Sequence, residues 1–136
     1  MIYFHPKFFY MNRQTFLRSL SNALDGIQSF FKSERNGQKQ LLIALLVMIA
    51  GFFFKISHLE WIAVLLCAAL VISLEMINTA LEKLSDLVEP NYNVVIKAVK
   101  DISAAAVLWS AIISLVIGGI IFIPRIISLL SIMNNH

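Results

Sequence analysis

The chain has 136 residues, 59% of them hydrophobic and only 14% charged, with mean hydropathy +0.80 and a formal net charge of +3. That length allows one domain, and a soluble fold of this size has too little interior to hide so much apolar side chain, so the composition excludes an ordinary water-soluble domain and points to lipid as the solvent. The single cysteine, Cys67, lies inside an apolar run, which excludes an intrachain disulfide.

Residues 1–12 read as an N-terminal extension. They are short and aromatic-rich, no small-residue cleavage site follows them as a signal peptide requires, and Met11 offers a second start. From Arg13 the apolar residues Phe16, Leu17, Leu20, Ala23, Leu24, Ile27, Phe30 and Phe31 recur at spacings of three and four. That periodicity predicts an amphipathic helix over about 13–34, and its aromatic face and basic flanks suit the membrane interface.

Ser33 to Gln40 is a polar break. The apolar run Leu41–Phe54 that follows reaches spanning length only when taken as about 38–56, with Lys39 and Lys55 snorkelling at its two ends. Lys55 to Glu60 makes a polar turn. A second span, about 61–86, begins at the interfacial aromatic Trp61, runs unbroken into a polar segment and ends at Pro90. The third span, about 98–123, contains Ile102–Ile123 without a charge, and Pro124 and Arg125 are expected to close it. Residues 13–125 thus form one membrane domain, and 126–136 read as a tail.

Charge placement orients the chain. The N-terminal segment carries Lys7, Arg13, Arg18, Lys32, Arg35 and, at the start of the first span, Lys39, and Lys83, Lys97 and Lys100 flank the second loop. Only Lys55 and Arg125 stand on the other side. This asymmetry predicts an N-terminus and second loop on the cytoplasmic face of a multi-pass plasma-membrane protein.

Chemistry concentrates on the second span. Glu75, Asn78, Thr79, Glu82 and Asp86 lie within about 60° of one line on a helix, a polar stripe on an otherwise apolar rod. Glu82 and Asp86 alone read equally well as the solvated end of a long helix. Glu75 follows fourteen apolar or small residues, Trp61 to Leu74, and an ionisable group at such depth is costly and is a functional-site candidate. A monomer is expected to expose Glu75 and Asn78 to lipid, so an oligomer is expected to shield them. The oxygen ligands favour Mg²⁺ over zinc, for which the scattered His5, His58 and His136 provide no cluster. Carboxylates, a basic loop and a membrane-depth base suit phosphoryl transfer to a lipid alcohol. Neither a Walker-type phosphate loop nor protein-kinase motifs occur, and nothing marks a nucleic-acid binder. A non-catalytic module, a small channel or an assembly subunit, would use the same stripe to line a pore or to bind a partner helix.

The order Glu75, Asn78, Thr79, Ala80, Glu82, then Lys100-Asp101 and the small residues Ser103 to Val107, resembles the signature of the prokaryotic diacylglycerol and undecaprenol kinases. Phe31-Lys32-Ser33-Glu34-Arg35-Asn36 and Gly26-Ile27 are similar to the same family's upstream segments. The resemblance implies an ATP- and Mg²⁺-dependent lipid kinase, built as a homotrimer with a surface helix and three spans. By motif position, Glu75 would be the general base on the lipid hydroxyl, and Asn78 would orient the site. Glu34 and Glu82 would hold Mg²⁺ under the phosphates of ATP, Lys100 and Asp101 would contact the nucleotide, Asn91, Tyr92 and Asn93 would approach it, and Ala104 would lie beside the lipid path. Asn22 and Asn93 depart from the tyrosine and histidine frequent at their positions. Thr79 and the Ser33-Glu34-Arg35-Asn36 segment resemble the undecaprenol branch more than the diacylglycerol branch, which would return its lipid to phosphatidate.

Overall fold

The computed structural model describes residues 16–134. They form four helices: α1 (Phe16–Ser33), α2 (Arg35–Phe53), α3 (His58–Val88) and α4 (Val94–Asn134). The expected extension over residues 1–12, and Arg13 with it, lie outside the described residues. The chain divides into two compact units, Met1–Ser33 and Glu34–His136. In the first, α1 carries the predicted periodicity, with Phe16, Leu17, Leu20, Leu24 and Ile27 all exposed. In the second, α3 packs against both α2 and α4.

The polar break before α2 is much shorter than the sequence predicts. Glu34 alone adopts extended backbone, and Arg35–Gln40 already belong to α2. Arg, Gln and Lys are good helix formers, so their polarity marks an exit from lipid and not the end of a helix. The start of α3 shifts the same way. Ser57 accepts a hydrogen bond from the Glu60 amide at 3.4 Å, and the Glu60 carboxylate accepts one from the Ser57 amide at 2.7 Å. This capping box starts the helix at His58, before Trp61.

The α2–α3 turn is a Schellman motif. The Lys55 amide donates to the Phe52 carbonyl at 3.2 Å, and the Ile56 amide to the Gly51 carbonyl at 3.1 Å. Lys55 supplies the left-handed residue, φ 49°, a place usually held by glycine. Ile56, Val64 and Ile121 form a small apolar core at this end, backed by Val47, Trp61 and Phe122.

At the far end of α4 the structure corrects the sequence reading. Pro124 does not close the helix, which continues to Asn134. Proline removes one amide from the ladder and frees the Ile120 carbonyl, a loss of one bond that a long helix held by neighbours absorbs.

Three helices, Arg35–Phe53, His58–Val88 and Val94–Asn134, are long and apolar enough to cross a membrane. Their burial pattern is that of a protein solvated by lipid. Among the described residues the buried apolar side chains are Phe30, Ile56, Val64 and Ile121, while the buried polar ones are Glu75, Asn78, Thr79, Ser85, Ser103 and Ser110. Leucine and isoleucine cover the outside, and polar groups that lipid cannot satisfy face inward. The chain is a multi-pass membrane protein. At about 1.5 Å per residue, α2 matches a hydrocarbon core of roughly 30 Å. Helices α3 and α4 exceed it.

A β-carbon on Gly51 would approach the Trp61 ring to 2.8 Å. Gly51→Ala is expected to displace that ring and lower stability by about 1–3 kcal/mol, the usual cost of overpacking, measured as thermal unfolding in detergent. An unchanged midpoint would contradict this packing of α2 on α3.

Candidate active site

The second half of α3 faces the first turns of α2 and α4, and the polar side chains of all three helices meet there. Glu75 is 5% exposed and Asn78 7%. The expectation that a single chain leaves them open to lipid is therefore corrected: neighbouring helices of the same chain cover both. From α2, Gln40 donates its amide Nε2 to Glu75 Oε2 at 3.1 Å. From α4, the Ser103 hydroxyl lies 2.6 Å from Asn78 Oδ1 and 2.9 Å from the Lys100 carbonyl, so its one proton is shared between two acceptors. Asn78 Nδ2 in turn donates to Glu82 Oε1 at 3.1 Å, one turn along α3. A chain of polar contacts thus runs from Ser103 through Asn78 to Glu82 and fixes the asparagine with both ends occupied.

Basic residues surround these acids on the side away from the Ile56 core. Lys83 pairs with Glu34 at 2.7 Å, which brings Glu34 to the turn of α3 that carries Glu82. Lys100 reaches across from α4 to Asp86 on α3 at 2.6 Å. Asp101, its neighbour, pairs instead with Lys97 along α4. The adjacent Lys100 and Asp101 therefore face different partners. Between α3 and α4, Glu89 Oε1 accepts from the Asn91 amide at 3.1 Å, and Tyr92 is exposed. Asn93 Oδ1 accepts from the Val95 and Ile96 amides at 2.8 and 3.3 Å, so its side chain caps α4. Ala104 is exposed on the first turns of α4, one residue beyond Ser103.

Gln40 and Lys83 were given no site role by sequence reasoning; Ser103 entered only as a small residue of the family signature and Asp86 only as part of the polar stripe. Gln40 had a signal, since it is the last polar residue before an apolar run; only the packing of α2 on α3 shows that it meets Glu75. Its Oε1 is buried without a hydrogen-bond partner among the described residues. Such an acceptor is costly in a dry setting and calls for a donor.

The residues fit a magnesium nucleotide in kind. No group of three His, Cys, Asp or Glu gathers among the described residues, as an all-protein metal cage would need. Glu34 and Glu82 supply hard oxygen donors, and Mg²⁺ is commonly held by one or two carboxylates with phosphate oxygens and water completing the shell.

The family model described as prokaryotic diacylglycerol kinase matches residues 21–122. An undecaprenol kinase of Bacillus subtilis is 38% identical over 111 residues, covering 82% of this chain and 90% of that protein. A diacylglycerol kinase of Synechocystis is 36% identical over 118 residues, 84% of this chain and 66% of that protein. A diacylglycerol kinase of Haemophilus influenzae is 28% identical over 107 residues, 78% and 91% of the two chains. The matched segment holds Glu34, Glu75, Glu82 and Lys100 and stops before Arg125.

Removing the Ser103 hydroxyl leaves Asn78 Oδ1 buried with one partner fewer. Ser103→Ala is expected to lower stability by about 1 kcal/mol, the scale of a polar contact between membrane helices. A variant as stable as the parent in a detergent unfolding series would contradict the Ser103–Asn78–Glu82 chain.

Proposed function

The chain belongs to the prokaryotic diacylglycerol kinase family and is a lipid kinase; on that premise we propose that it transfers the γ-phosphate of ATP, with Mg²⁺, to the hydroxyl of a membrane lipid alcohol, with undecaprenol preferred over diacylglycerol. The observation that carries the reading is Glu75, a carboxylate buried at the membrane-facing end of a polar cluster and held, among the described residues, on one oxygen by Gln40. The preference for undecaprenol rests on the resemblance at Thr79 and Ser33–Asn36, with the 38% identity to the undecaprenol kinase only slightly above the 36% to one of the diacylglycerol kinases.

In this reading the lipid hydroxyl enters beside Ala104 and donates its one proton to the second oxygen of Glu75, while Gln40 Nε2 holds the first. Glu75 takes the proton as the hydroxyl oxygen bonds to the γ-phosphorus. The bond from that phosphorus to the β-phosphate oxygen breaks, and ADP leaves with the electron pair. Asn78 keeps Glu82 aimed by its hydrogen bond. Glu34 and Glu82 would hold Mg²⁺, which when bound neutralises charge on the phosphate oxygens. Lys83 and Lys100, each already tethered to an acid, place positive charge where the polyphosphate would lie. Asp101, Asn91, Tyr92 and Asn93 border the nucleotide, with Asn93 setting the start of α4 and its backbone in place of a side-chain contact.

The same reading places α1 in the membrane interface, the nucleotide on the cytoplasmic face of the plasma membrane, and three copies in the working assembly. The exposed apolar stripe of α1 and the asymmetry of Lys and Arg support the first two. Family resemblance supports the third.

Glu75→Gln is expected to lower phosphate transfer about 10²–10⁴-fold, the usual worth of a general base, with nucleotide affinity unchanged. Near-normal turnover in reconstituted vesicles would remove Glu75 from the role of base.

A further inference from the structure

The end of the bundle opposite the candidate active site holds a second charged feature. About 22 Å along α3 from Glu75, Glu60 accepts a hydrogen bond from Arg125 Nη2 at 2.8 Å, tying α3 to α4. Arg125 Nη1 also donates to the Ile121 carbonyl at 2.5 Å. Beside this pair lies a cleft of roughly 550 Å³, lined by Phe53, Lys55, Arg125, Ser128, Leu129 and Ile132 among others. The charge of Arg125 is balanced by Glu60. Lys55 is not balanced: it is exposed, and its ammonium group makes no ion pair or hydrogen bond among the described residues. The cleft therefore carries one net positive charge, further guanidinium N–H donors and a hydroxyl, between aromatic and aliphatic walls.

We propose that this cleft binds the phosphate headgroup of one anionic phospholipid in the leaflet at that end of the bundle. A phosphodiester carries a single negative charge, matching the single uncompensated lysine. Arg125 and Ser128 donate to its oxygens, while Phe53, 68% exposed, offers a face to an acyl chain. The position is fixed by the fold. Lys55 sits at the left-handed corner of the α2–α3 turn, and α4 forms the second wall only because it continues past Pro124. Arg125 and Ser128 lie beyond the segment matched by the family model, while Phe53 and Lys55 lie within it.

Trp61 reports on it, because it adjoins Glu60 and packs against Phe52 with ring centroids 4.7 Å apart and planes inclined by 52°. The chain contains two tryptophans, Trp61 and Trp109, so a Trp109→Phe background isolates the signal. The protein is reconstituted in phosphatidylcholine–phosphatidylglycerol vesicles in which one lipid or the other carries brominated chains. Brominated phosphatidylglycerol is expected to quench Trp61 at a roughly fivefold lower mole fraction than brominated phosphatidylcholine, as one interfacial lysine allows. Lys55→Asn keeps a residue tolerant of the left-handed turn and should abolish the preference, while Lys55→Arg should keep it. Equal quenching by the two lipids, or a preference that survives Lys55→Asn, overturns the proposal. So does displacement by inorganic phosphate at matched ionic strength, which would mark a small-anion site.

Discussion

A carboxylate just past the middle of a membrane-spanning helix must find its partners inside the protein, because lipid offers none. Glu75 sets that requirement, and much of the bundle around it answers. Gln40 on α2 reaches Glu75, and Ser103 on α4 reaches Asn78, so the two neighbours of α3 are joined to it by polar contacts at one level. Cutting either contact strands a buried polar group. Away from that level the packing is thin: the apolar core at the opposite end contains Ile56, Val64 and Ile121, and the helices turn their leucines outward.

Two ends follow from this arrangement. Near Glu75 the helices leave the apolar zone and ion pairs appear, Glu34 with Lys83 and Asp86 with Lys100, in a setting where side chains can exchange partners. At the other end the Schellman turn, the capping box and the Glu60–Arg125 pair lock the α2–α3 hairpin against α4. The first end suits the phosphoryl transfer proposed for it. The second suits anchorage.

The three apolar helices and the stripe from Glu75 to Asp86 were legible from periodicity and length, because lipid imposes both on any spanning segment. The order of that stripe was also specific enough to identify the family. Element ends were less legible. Polarity at Arg35–Gln40 reads as a loop when helix propensity decides otherwise, and Pro124 reads as a stop when a helix held by neighbours tolerates it. Least legible were partnerships across helices. Nothing local pairs Gln40 with Glu75 or Lys100 with Asp86, since those contacts depend on the rotation of whole helices, whereas Lys97 and Asp101 pair one turn apart along α4. The same gap led to the expectation that a lone chain exposes Glu75, which α2 and α4 of that chain prevent.

The decisive measurement offers the unmodified protein in lipid vesicles undecaprenol and diacylglycerol together with Mg-ATP and follows where the γ-phosphate goes. Lipid kinase activity as proposed leaves labelled phosphate on lipid, dependent on the metal, with undecaprenyl phosphate the larger product. Phosphate on neither alcohol, from protein that is folded and binds nucleotide, would contradict it.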